Sequence, residues 1–218
     1  MSRGRAASLL AVVALVGLVL GLGITAPPPP PRGVATDALG PDGGEAIAEY
    51  LARAQESLAG PAEGGQVWAL VSFAPAISTA QVRAAVGEAR VSQVLYRLSL
   101  DRVQTPLLVQ QVADGDAALA AADDLAVVKA QTLPAADERQ AAIAAATARG
   151  LAAHCACVVG VLVRADIDTL RAVSERADVR AVEALPADAV YGRFAVRPLL
   201  PEYLDVASVG PDDGDVPG

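Results

Sequence analysis

The sequence predicts an α+β fold: an antiparallel sheet assembled from two β-α-β halves, with an alanine-rich helical hairpin between them and a transmembrane helix in front. Three observations carry this. Residues 66–100 and 157–185 each read as strand, short helix, strand. Residues 116–152 are dominated by alanine, the strongest intrinsic helix former. Residues 6–25 form an unbroken apolar run behind Arg3 and Arg5. Paired β-α-β halves place residues 66–200 in the ferredoxin-like class, with helices expected over one face of a four-stranded sheet.

The leader, residues 1–26, reads as a signal anchor. About 20 apolar residues rising ~1.5 Å each span a hydrocarbon core roughly 30 Å thick. Its only charges are the two arginines before the run, and Asp37, Asp42 and Glu45 follow. That asymmetry keeps the N-terminus cytoplasmic and puts the remainder outside the cell membrane, as a single-pass protein. A cleaved signal peptide is the competing reading. Against it, Ile24 and Pro27 flank the nearest cleavage site, after Ala26, and both discourage processing. Pro27 to Pro31 favour an extended polyproline II spacer, taken as residues 27–44. Gly17 and Gly21 permit close approach of two such helices, and so a homodimer.

Residues 45–65 are an amphipathic helix and linker. Ile47, Leu51, Ala54 and Leu58 share one helical face, and Gly60-Pro61 and Gly64-Gly65 end it. Val67, Trp68, Leu70, Val71 and Phe73 mark the first strand of the domain. Ser78 caps a helix carrying Val82 and Val86, and Val91, Val94, Tyr96 and Leu98 alternate along the next strand. In the second half, Asp166 or Asp168 caps a helix carrying Leu170 and Val173, and Pro186 closes the last strand. The hairpin is expected as helices over 116–130 and 136–152, parted by Leu133-Pro134 and closed at Gly150. Residues 190–200 are strand-like, and the acidic residues 201–218 read as a flexible tail.

A net charge of −8 with no basic cluster argues against nucleic acid and anionic membrane surfaces as partners. Abundant alanine and arginine beside a single lysine, Lys129, read as the imprint of a GC-rich bacterial genome.

His154-Cys155-Ala156-Cys157 is the one cluster able to do chemistry. On a strand, the two sulfurs would share a side. Three readings stay open: two small buried thiols, a disulfide outside the cytoplasm, or soft metal ligands together with His154. A structural zinc site wants a fourth ligand at a recognisable spacing, and the sequence offers none, so no metal and no cofactor are assigned. No Gly-x-Ser-x-Gly elbow is present, and no catalytic residue is assigned. Asp123-Asp124 and Asp212-Asp213 lack the alternating spacing of a calcium loop and read as solvated surface and tail. Trp68 reads as core or sheet face.

Val161-Leu162-Val163-Arg164, the Leu170-Arg171-Ala172 helix and Ala177-Asp178-Val179-Arg180-Ala181-Val182-Glu183 together resemble the closing half of subtilisin propeptide and peptidase-inhibitor domains. Residues 67–94 are similar to that family's opening strand-helix-strand. The resemblance implies the same sheet and an inhibitor or chaperone of a secreted protease, with residues 185–190 at the position of the family's inhibitory segment. The hairpin is foreign to that family, and no protease domain follows. The resulting expectation is a non-enzymatic, membrane-anchored module of the bacterial envelope that binds another envelope or secreted protein. The inhibitor, and a thiol or metal protein using His154, Cys155 and Cys157, are the alternatives.

Overall fold

The computed structural model describes residues 37–60 and 65–217. The anchor, most of the proline spacer and residues 61–64 of the linker lie outside the described residues. No helix among the described residues is long and apolar enough to cross a membrane.

The domain is a mixed α+β structure around a five-stranded antiparallel sheet. Its elements are β1 (Ala38–Leu39), α1 (Ile47–Ser57), β2 (Val67–Ile77), α2 (Thr79–Val86), β3 (Arg90–Tyr96), β4 (Leu108–Gln111), α3 (Asp116–Ala120), α4 (Ala122–Gln131), α5 (Glu138–Ala152), β5 (Val158–Ala165), α6 (Ile167–Ser174), β6 (Val179–Ala184) and β7 (Ala195–Val196). The order across the sheet is β4-β3-β5-β2-β6. The two expected halves, β2-α2-β3 and β5-α6-β6, therefore interleave, with β2 and β5 side by side at the centre.

Local capping signals fix the starts of three helices. Ser78 and Gln81 close a capping box at the start of α2, and Asp166 accepts from the Thr169 N–H at 2.8 Å to cap α6. Asp137 does the same for α5. The sheet departs from expectation by its fifth strand, β4, which adds to the β3 edge. Residues 190–200 are not a strand. Only Ala195–Val196 pair, in parallel with Ala38–Leu39, while Leu199 is buried without ladder partners.

Both sheet faces are covered. On one, Ala69, Val71, Phe73, Val94, Val161 and Val163 pack beneath α2, α6 and the α4–α5 hairpin. The hairpin contributes Ala122, Ala126 and Ala130, a small-residue stripe that brings α4 close to the strands. On the other, Leu70, Leu95, Val159 and Leu162 lie beneath β1 and the chain after β6, including Leu185 and Leu200. Helix α1 packs beside β6 through Ile47, Tyr50 and Ala54.

Glu183 ties this second cover down. It is buried on β6, accepts from the Gly40 N–H at 2.5 Å and pairs with Arg53, which also binds Glu45 at 3.0 Å. Burial pushes the Glu183 carboxyl above the ordinary carboxylate range, although the Gly40 N–H and Arg53 oppose the shift. The folded state therefore holds this proton more tightly than the unfolded chain. Glu183 contributes most below the unfolded carboxylate pKa, and that contribution falls as pH rises through the folded value. The stability margin of the parent over Glu183→Gln is expected to be larger at pH 4 than at pH 7 in urea unfolding. A margin that grows with pH would mean that the Arg53 pair outweighs burial.

Candidate functional site

The chemistry-bearing residues gather where α5 ends. After Ala152 the chain turns through His154, whose φ of 52° lets the Cys155 N–H reach the Gly150 carbonyl at 3.1 Å. This is a Schellman-type ending with histidine at the left-handed position. Gly150, expected to close the helix, lies inside it. A Cβ there would come within 2.9 Å of Leu98 Cδ1, so its small size serves packing.

Cys155 and Cys157 form a disulfide. They do not lie on a strand, as expected, but span the turn between α5 and β5, Cys157 buried and Cys155 half-buried. Oxidised sulfurs are not thiolate ligands. Among the described residues no three His, Cys, Asp or Glu side chains converge to hold a metal ion.

His154 instead reaches Asp123, its Nδ1 3.0 Å from Oδ2. A carboxylate only accepts, so Nδ1 is the donor in this contact. The other Asp123 oxygen accepts from Thr79, and the Tyr96 hydroxyl stands 2.8 Å from Thr79 Oγ1. Burial pushes the Tyr96 phenol well above its usual range. Asp123, read from sequence as solvated helix surface, is thus buried and bonded, while Asp124 stays exposed. The signal was its spacing, three and seven residues before Ala126 and Ala130, on the helix face that packs inward.

A His–Asp pair can orient a general base, but acyl transfer also needs a nucleophile on the far nitrogen. Among the described residues no hydroxyl or thiol is bonded to His154 Nε2, and Thr79 lies on the Asp123 side. The line from His154 through Asp123 and Thr79 to Tyr96 acts as a clamp from the hairpin to α2 and β3. The open depressions near Arg171 and Glu175, and near Arg176 and Asp178, carry no comparable convergence.

The opposite end of the sheet carries a different feature. Strand register puts Trp68, Arg164 and Arg90 in one row there, and Ile77, Val158 and Tyr96 in the row beside the disulfide. Trp68 meets Tyr191 at 4.9 Å and Phe194 at 6.2 Å between ring centroids, with the Arg164 guanidinium 5.5 Å from the indole ring. Gln93 donates to the Tyr191 hydroxyl at 3.1 Å. Trp68 and Phe194 are half-buried, while Tyr191 and Val190 are 39% and 55% exposed. The sequence puts Trp68 in the core or on the sheet face and gives no sign of its two aromatic partners, which arrive from 123 and 126 positions further along.

No known protein family, curated protein or solved structure matches this chain.

The disulfide closes a very short loop, so in the chain-entropy picture it contributes only on the order of 1–2 kcal/mol. Reduction is expected to lower the unfolding free energy by about that amount while leaving the far-UV spectrum unchanged. In a timed alkylation of the reduced native protein, Cys155 should label before Cys157. Loss of folded structure on reduction would make the bond essential rather than accessory.

Proposed function

We propose that the chain is a non-catalytic, membrane-tethered protein-interaction module of the bacterial envelope, built on a ferredoxin-like core with an inserted helical hairpin. One observation carries the reading: a partly exposed cluster of Trp68, Tyr191 and Phe194, with Val190 and Arg164, in a chain holding only one Trp, four Tyr and two Phe. Binding energy at protein interfaces concentrates on Trp, Tyr and Arg, which give large rigid contact area at low entropic cost. The Cys155–Cys157 bond supports placement outside the cytoplasm, where disulfides persist. The tether rests on the apolar run at residues 6–25.

The inhibitor reading has less support. The residues at the position of a propeptide's inhibitory segment begin with buried Leu185, whose N–H bonds the Trp68 carbonyl at 2.8 Å, and the chain then folds back over the sheet.

In-cell crosslinking of the full chain, with identification of what co-purifies, tests the proposal. A dominant envelope or secreted partner is expected, and Tyr191→Ser should abolish its recovery while the domain stays folded, at a cost of about 1–3 kcal/mol for the lost ring contact with Trp68 and the Gln93 bond. Val128→Ser, on the exposed side of α4, should leave recovery unchanged. Recovery insensitive to Tyr191→Ser would sink the patch as the docking surface. Tight inhibition of a subtilisin-type protease would move the protein to the inhibitor class. Fractionation into membrane, with external protease removing the domain, is the expected result for the tether.

A further inference from the structure

The segment from Gly210 to Pro217 has no regular structure, yet it lies on the domain in a defined way. Asp213 makes two bonds to Arg102, at 2.7 and 2.6 Å. Asp212 accepts from the Gln104 N–H at 2.9 Å and from Arg139 at 3.0 Å. Gln104 Nε2 reaches the Gly210 carbonyl at 2.6 Å, Arg139 the Gly214 carbonyl at 2.9 Å, and Arg149 the Pro217 carbonyl at 2.9 Å. The Gly214 N–H returns a bond of 2.8 Å to the Arg102 carbonyl. These contacts hold a segment that buries no apolar side chain fully, and Val209 just before it is 78% exposed.

The receiving surface is shaped as well as charged. Leu100 and Val103 bridge around a tight turn at Asp101 and Arg102, whose φ is 53°. Gly214 sits against that turn so closely that a Cβ would lie 2.2 Å from the Asp101 carbonyl oxygen. The turn therefore selects glycine immediately after two aspartates. Three guanidinium groups, a backbone N–H and an amide meet two carboxylates and four carbonyls, which is the chemistry of acidic-peptide recognition. In a chain of net charge −8, Arg102, Arg139 and Arg149 form a local cationic exception.

We propose that this surface is a recognition site for acidic Asp-Asp-Gly segments, occupied in cis by residues 210–217, and that a partner protein presenting such a segment displaces the chain's own. The ion pairs are largely exposed, with Arg102 and Asp213 at 53% and 65%. Exposed pairs are individually weak and screened by salt, so the cis segment is a displaceable occupant. The site follows the β3 end of the sheet, away from Trp68, and does not depend on the aromatic patch.

The test uses the full chain carrying Asp212→Ala and Asp213→Ala, which frees the surface, and a fluorescent peptide with the sequence of residues 210–217. By anisotropy, the freed chain is expected to bind at least tenfold tighter than the parent, with affinity falling several-fold as salt is raised. Adding Arg102→Asn and Arg139→Ala should remove binding; asparagine tolerates the left-handed turn, so the fold is kept, as an unchanged melting curve would verify. A peptide with alanine in place of Gly214 should not bind. Equal binding by parent and freed chains, absence of binding by both, or binding indifferent to the arginines or to the glycine would each overturn the proposal.

Discussion

The burial of the central sheet on both faces is the constraint on which the rest of the molecule depends. Strand β5 sends Val161 and Val163 to one side and Val159 and Leu162 to the other, and none of the four is exposed. Such a strand needs two covers. Helices supply one, and they satisfy their own backbone groups. The other is mostly irregular chain, whose N–H and C=O groups need partners from elsewhere. That need accounts for two of the polar residues in the core: Ser72 accepts the Leu199 N–H and Glu183 the Gly40 N–H, each where the irregular cover meets the sheet.

The alanine hairpin illustrates a second consequence. Alanine favours helix but presents little apolar surface, so Ala122, Ala126 and Ala130 bring α4 close to the strands without contributing much burial. The bonded line of His154, Asp123, Thr79 and Tyr96 adds specificity where the hydrophobic contribution is small. A buried carboxylate can be retained there because it receives two side-chain hydrogen bonds.

This division accounts for what was legible in the sequence. Elements set by local pattern could be read: the strand-helix-strand halves, the Ser78 and Asp166 caps, and the hairpin interrupted at Leu133-Pro134. Strand β4 escaped because only four residues pair and their pattern does not alternate cleanly. The segment 190–200 misled because apolar residues that cover a sheet look like residues that extend one. Asp123 and the Trp68 cluster escaped for a different reason. Their partners are 31 and 44 residues away in one case and 123 in the other, and pairing at that range is decided by tertiary packing.

Arginine content, which composition alone assigns to a genome's base bias, also has a structural use here. Arg171 bonds the Leu58 and Gly60 carbonyls, Arg180 those of Leu200, Pro201 and Tyr203, Arg83 those of Gly87 and Ala89, and Arg139 those of Asp212 and Gly214. Each fork joins two or more carbonyls of a turn or irregular segment, a geometry that a planar guanidinium offers and a single ammonium does not. Lys129 stands where one donor suffices. It reaches the Val109 carbonyl at 2.7 Å on β4, the exposed edge of the sheet. A lysine at a sheet edge hinders pairing with another chain's strand.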